Sequence, residues 1–83
     1  MPRHERLMDK LTGDFKIVVE NDNGIYTGWF EHEELGDEYG GELWFEKTGE
    51  GIELYDYDGT TSLPKDVIKG LRENGYIVSE EFE

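Results

Sequence analysis

Residues 15–31 read FKIVVENDNGIYTGWFE, two alternating runs joined by a turn signal, and the architecture follows from them. Phe15, Ile17 and Val19 fall on one side of an extended chain, and Lys16, Val18 and Glu20 on the other. NDNG then interrupts the pattern. Asn-Gly adopts positive φ at low cost, which a tight hairpin turn requires. IYTGWFE returns as the partner strand.

Two more strands follow downstream. ELWFEK (42–47) and IELYDY (52–57) are separated by the turn TGEG. Leu43, Phe45, Ile52 and Leu54 make a core face, which leaves Glu42, Trp44, Glu46, Glu53, Tyr55 and Tyr57 on the opposite face. Carboxylates at alternate strand positions lie roughly 6.6 Å apart on one side. At 58–75 the period changes. Val67, Ile68 and Leu71 form a helical stripe, Pro64 fits the first turn, Asp66 complements the dipole and Gly75 stops the helix. YIVSEEFE (76–83) reads as a closing strand with an acidic tail. Upstream, PRHERLMDKLTG (2–13) reads as a short helix, with Leu7, Met8 and Leu11 on one face and Gly13 as its stop. The basic cluster Arg3, His4 and Arg6 sits unfavourably at the start of that helix. The expectation is an α+β fold of order α-β-β-β-β-α-β. It is an antiparallel meander of four to five strands with one or two short helices, in a single domain spanning 1–83. The N-terminal helix is one candidate cover for the aromatics of the outer face. Otherwise Trp and Tyr stand exposed beside acids, a composition typical of an interface.

Between the second and third strands lies EHEELGDEYGGE (31–42). Six of its twelve residues are carboxylates, three are glycines, and none is Lys or Arg. The glycines suggest a flexible connection. Crowded like charges repel, so the stretch weakens any fold that carries it. The whole chain follows suit: 21 acids oppose 8 bases, for a formal net charge of −13 over 83 residues. This charge opposes direct nucleic-acid binding, which needs neutralising cations. It disfavours anionic membranes and steers the protein towards basic surfaces. There is no cysteine, so disulfides, thiolate metal sites and cysteine nucleophiles are excluded. No apolar run is long enough to span a bilayer, and the first ten residues lack a signal-peptide core. A cytoplasmic protein is expected.

Motif tests give little support for chemistry. DYDGT (56–60) matches the D-x-D-G-T pattern of haloacid-dehalogenase-type phosphatases, where Asp56 would be nucleophile and Asp58 acid/base. That family needs a parallel sheet and further residues on later strands, and only 23 residues follow Thr60. As a calcium loop the same stretch puts Leu54 at position 1 and Lys65 at position 12, where acids are required. His32 lacks the second His of an H-E-x-x-H helix, and its expected place is a solvated loop. No enzyme, cofactor or metal site is expected.

Binding through negative charge is what remains. The chain resembles, as a class, the small acidic cysteine-free proteins that phages encode against bacterial defence, of anti-CRISPR and antirestriction DNA-mimic type. The resemblance rests on size, charge, compact α+β build, the 31–42 stretch and the strand acids. It implies a non-enzymatic inhibitor contacting the Lys and Arg of a nucleic-acid-binding complex, with no direct nucleic acid or membrane partner. Expected partner-binding residues are Glu31, Glu33, Glu34, Asp37, Glu38, Tyr39, Glu42, Trp44, Glu46, Glu53 and Tyr55. An immunity protein or antitoxin covering a basic toxin follows the same charge logic. The protein is expected to be a monomer or a homodimer, with the aromatic strand face as a possible self-contact.

Overall fold

The computed structural model describes residues 4–83. It is an antiparallel meander of five strands in sequential order: β1 (His4–Thr12), β2 (Phe15–Asp22), β3 (Ile25–His32), β4 (Gly36–Thr48) and β5 (Gly51–Gly59). One helix, α1 (Lys65–Glu73), and a 3-10 turn at Glu80–Phe82 complete it. The α+β class stands.

The central hairpin forms as its sequence dictates. Asp22 pairs with Ile25, leaving Asn23 (φ 54°) and Gly24 (φ 90°) as a two-residue turn of the twist that hairpins favour. The core lies on one side of the sheet. Ile17, Val19, Phe30, Leu43, Phe45 and Leu54 meet Val67, Ile68 and Leu71 of α1, with Leu63, Tyr76 and Val78 closing the margins. Gly70 lets the helix sit close on the β1–β2 end, since a Cβ there would fall 2.6 Å from Thr12 Oγ1 and 2.8 Å from Ile17 Cδ1. α1 begins after Pro64, which acts as N-cap, and ends in a Schellman closure: Gly75 N donates to Arg72 O and Tyr76 N to Leu71 O.

Three expectations are corrected. The N-terminal segment is a strand, not a helix: β1 pairs with β2 from His4↔Asp22 to Thr12↔Phe15. Of the proposed helical stripe only Met8 is buried, while Leu7 and Leu11 are exposed. A three-residue stripe cannot outweigh the ladder that β2 demands on its open side. Residues 1–3, including Arg3 of the expected basic cluster, lie outside the described residues. The outer face is therefore not covered by an N-terminal helix. Secondly, most of the acidic stretch is ordered strand, because β4 starts at Gly36 and only residues 33–35 form the turn. Thirdly, the C-terminal segment makes one parallel bridge, not a strand. Ile77 N donates to Ile52 O, and Leu54 N to Ile77 O. Ser79 then accepts from Glu81 N, and Arg72 holds the end through Val78 O and Glu83.

Two glycines let β4 pass close to its neighbours. A Cβ on Gly40 would lie 2.5 Å from the Phe30 carbonyl oxygen, and one on Gly41 2.5 Å from the Tyr57 ring. Tyr57 occupies the space over Gly41, stacks on Phe30 with ring centres 5.8 Å apart, and donates its hydroxyl to Thr61 O at 2.6 Å. Gly40→Ala should cost about 1–3 kcal/mol in urea unfolding, because backbone cannot move aside as a side chain can. Gly49→Ala, which meets nothing within 4 Å, should change stability far less.

Burial pushes the Tyr57 phenol above its ordinary 10.0; Asp58 adds to the rise and the Thr61 contacts oppose it. Burial also raises Tyr76. Both groups hold their protons more tightly folded than unfolded. Their contribution is therefore complete below pH 10 and is lost as pH rises through the unfolded value towards the folded ones. Melting temperature should fall on that alkaline limb, and fall less steeply in the Tyr57→Phe/Tyr76→Phe variant.

Candidate functional site

With Phe30, Leu43, Phe45 and Leu54 turned inward, strand alternation sends Trp29, Glu42, Trp44, Glu46 and Glu53 to the outer face. β5 then breaks step. Trp44 pairs with Asp56 and Phe45 with Leu54, so Tyr55 is the extra residue of a β-bulge. After the bulge, Asp56 and Asp58 face outward and Tyr57 inward. The expected outer position of Tyr57 is thus corrected: one inserted residue reverses every side chain beyond it.

The outer face reads as cross-strand rows. Trp29, Glu42 and Asp58 are successive partners on β3, β4 and β5; Thr27, Trp44 and Asp56 form the next row; Glu46 opposes Glu53. Neighbouring strands lie about 4.8 Å apart. Both tryptophans are half-buried, and the acids of β4 and β5 stand around them. At the Gly40–Gly41 end the face opens into a hollow of about 450 Å³, walled by Trp29, Glu31, Asp37, Glu42 and Asp58 and floored by glycine. Gly40, Gly41 and Gly59 line it without a side chain.

Charge is distributed unevenly over this sheet. On the outer face of β1 and β2 the cations are paired: His4 Nε2 lies 2.9 Å from Glu20, Arg6 3.1 Å from Asp9, and Lys16 3.9 Å from Asp9. Lys16 Nζ also lies 5.9 Å from the centre of the Trp29 ring. Among the described residues, no cation comes within 4.0 Å of Glu42, Glu46, Glu53, Asp56 or Asp58. Glu42 faces Asp58 and Glu46 faces Glu53 as like-charge cross-strand pairs. Such pairs destabilise a sheet.

The residues singled out from sequence divide into three groups. Glu31, Asp37 and Glu42 gather at the hollow. Trp44, Glu46 and Glu53 continue the same outer face, with Tyr55 exposed on its bulge beside them. Glu33, Glu34 and Glu38 do not join the hollow. Glu33 and Glu34 lie in the turn, and the carbonyl of Glu38 accepts from Thr60 Oγ1 at 2.7 Å. Tyr39 turns towards His32, with ring centres 6.4 Å apart. Trp29, Asp56 and Asp58 were missed as members of the face. Trp29 was legible from its alternation with Phe30, whereas the bulge at Tyr55 hid the two aspartates.

His32 is not a solvated loop residue. It ends β3 half-buried, its Nδ1 accepts from Glu34 N and Leu35 N at 3.1 Å each, and its ring packs 5.2 Å from Phe15. It fastens the acidic turn. Asp56 and Asp58 project from an antiparallel strand, and Asp56 Oδ1 accepts from Tyr57 N at 2.9 Å. Among the described residues no three His, Asp or Glu side chains converge as metal ligands, and no helix is long and apolar enough to cross a membrane. A second hollow, of about 780 Å³, lies along α1 against Leu63, Ile68 and Arg72, away from every expected partner-binding residue.

No family model, curated protein or solved structure matches this chain.

The like-charge pairs carry a direct test. Glu46→Lys, opposite Glu53, and Glu42→Lys, opposite Asp58, should each stabilise the isolated protein by about 0.2–1 kcal/mol. Chemical denaturation at low salt measures this, and the gain should shrink as salt screens the charges.

Proposed function

We propose that the protein is a non-enzymatic inhibitor whose acidic outer face docks on a basic protein surface built to hold nucleic acid. The target belongs to a bacterial defence complex, and the action takes place in the cytoplasm of the infected cell. One observation carries this reading: on the outer face cations pair with Asp9 and Glu20 of β1–β2, while among the described residues no cation lies within 4.0 Å of Glu42, Glu46, Glu53, Asp56 or Asp58 of β4–β5, where Glu42 faces Asp58 and Glu46 faces Glu53. A partner's Arg and Lys relieve that repulsion on binding.

The arrangement suits such a partner in three ways. The carboxylates are carried on ordered strands, so little backbone order is lost on docking. Trp29 and Trp44 supply large half-buried rings among the acids, as anchor residues do. The glycine-floored hollow offers a guanidinium both carboxylates and an aromatic wall. A line of fixed anions matches part of the field of a nucleic-acid backbone without presenting a cleavable bond.

Affinity capture from bacterial lysate, at low and high salt and with DNA or RNA as competitor, tests the reading. The expected catch is a nucleic-acid-handling complex displaced by nucleic acid and lost steeply with salt. Glu42→Lys/Asp58→Lys should abolish capture while the fold melts no lower than wild type. Lys65→Glu/Lys69→Glu, on α1, should leave it intact. Capture that survives reversal at Glu42, Asp58 and Glu46 rejects the proposal.

A further inference from the structure

We propose that a second copy of this chain pairs antiparallel along the open edge of β1, about a two-fold axis perpendicular to the sheet. The inference concerns the end of the sheet remote from the acidic face and does not depend on the function assigned to that face. β1 pairs with β2 on one side, and no described strand pairs with its other side. β5 differs, because Ile77 bonds to part of its outer edge. An unpaired edge is a template for another strand.

Charge singles out a copy of the same chain as the occupant. β1 reads HERLMDKLT. Pairing it with itself about the Leu7–Met8 point sets Glu5 opposite Lys10 of the copy, Arg6 opposite Asp9, and His4 opposite Leu11. An uninterrupted strand forbids this register, since each pair joins one odd and one even position and would straddle the two faces. The β-bulge at Leu7 removes the conflict. Arg6 pairs with Glu20 and Asp9 with Val18, so both point outward; Glu5 pairs with Asn21 and Lys10 with Ile17, so both point inward. The one-residue insertion that would disturb other pairings thereby makes the strand complementary to itself.

Two further observations favour the same occupant. Among the described residues, neither Glu5 nor Lys10 has an ionic partner within its own chain. Leu7 and Leu11 are 39% and 58% exposed on this edge. The chain carries a net charge of −13, yet His4–Thr12 holds two acids and two bases, so copies repel least there. The two-fold axis keeps both outer faces on one side of a continuous sheet, so a dimer presents its acidic face twice.

Sedimentation equilibrium over a concentration series tests this with the intact protein. Wild type should associate to a dimer. Glu5→Lys and Lys10→Glu each turn two symmetry-related contacts from attraction to repulsion, so each should weaken the dimer roughly tenfold. Glu5→Lys/Lys10→Glu restores opposite charges and should restore the dimer. Both positions are exposed, and circular dichroism melts should show all variants folded. A wild type that stays monomeric at every concentration overturns the proposal. So does a dimer indifferent to the single reversals, or one that the double reversal fails to recover.

Discussion

One short helix has to serve a five-stranded sheet. Nine residues of α-helix are about 13 Å long, whereas five strands span roughly 19 Å between the outermost axes. Such a helix can dry one face at most. The rest of the structure adapts to that limit. Tyr57, lying over Gly41, and Tyr76, against Phe45 at 5.4 Å, fill the part of the inner face beyond the reach of α1. The segment after the helix folds back along β5 at Ile77 and completes the margin. The outer face receives no cover, so its side chains must tolerate water. Val18, fully buried there, is sheltered in its row by Trp29 and Asp9.

An uncovered face can be decorated freely, and this one is decorated unevenly. Bringing Arg6, Lys16, Asp9 and Glu20 together on β1–β2 offsets charge locally. Exposed pairs of this sort contribute little to stability. Their consequence is positional: the cations held there leave the far half of the face to carboxylates. The bulge at Tyr55 sharpens the asymmetry. By reversing the phase of β5 it carries Asp56 and Asp58 to the outer face beside Glu42 and sends Tyr57 to the core. One inserted residue thus supplies both a core ring and two surface charges.

What could be read from the sequence follows the same physics. Alternation and the Asn-Gly turn identify β2–β3, and the period change with Gly75 identifies α1, because these signals are local. β1 was lost because Leu7, Met8 and Leu11 imitate a helical face, and a bulge at Leu7 blurs the strand alternation that would have corrected the reading. A non-local clue was present. Ile17, Val18 and Val19 are apolar in succession, a pattern of strands buried on both faces. Such burial comes more readily to a strand inside a sheet than to one at its edge, which favours a further strand beside β2. The glycines at 36, 40 and 41 misled in the opposite direction. They read as flexibility, whereas two of them serve close backbone approach within an ordered strand.

The acidic stretch met in the sequence is thereby resolved into parts with different tasks. Glu33 and Glu34 lie in a turn that His32 fastens through two backbone N–H groups, and Glu33 N donates to Asp14 O at 2.7 Å, tying this turn to the β1–β2 turn. Their carboxylates sit on a braced support. Glu31, Asp37 and Glu42 instead border the hollow beside Trp29. Repulsion among these groups is held within a rigid lattice of strands and cannot relax by moving the chain. Rotation of the exposed side chains, salt ions or a partner's cations relieve it. Because the backbone of these strands is already in place, a cation that meets the carboxylates, a protein's Arg or Lys on the proposed docking reading, calls for little reordering of the sheet.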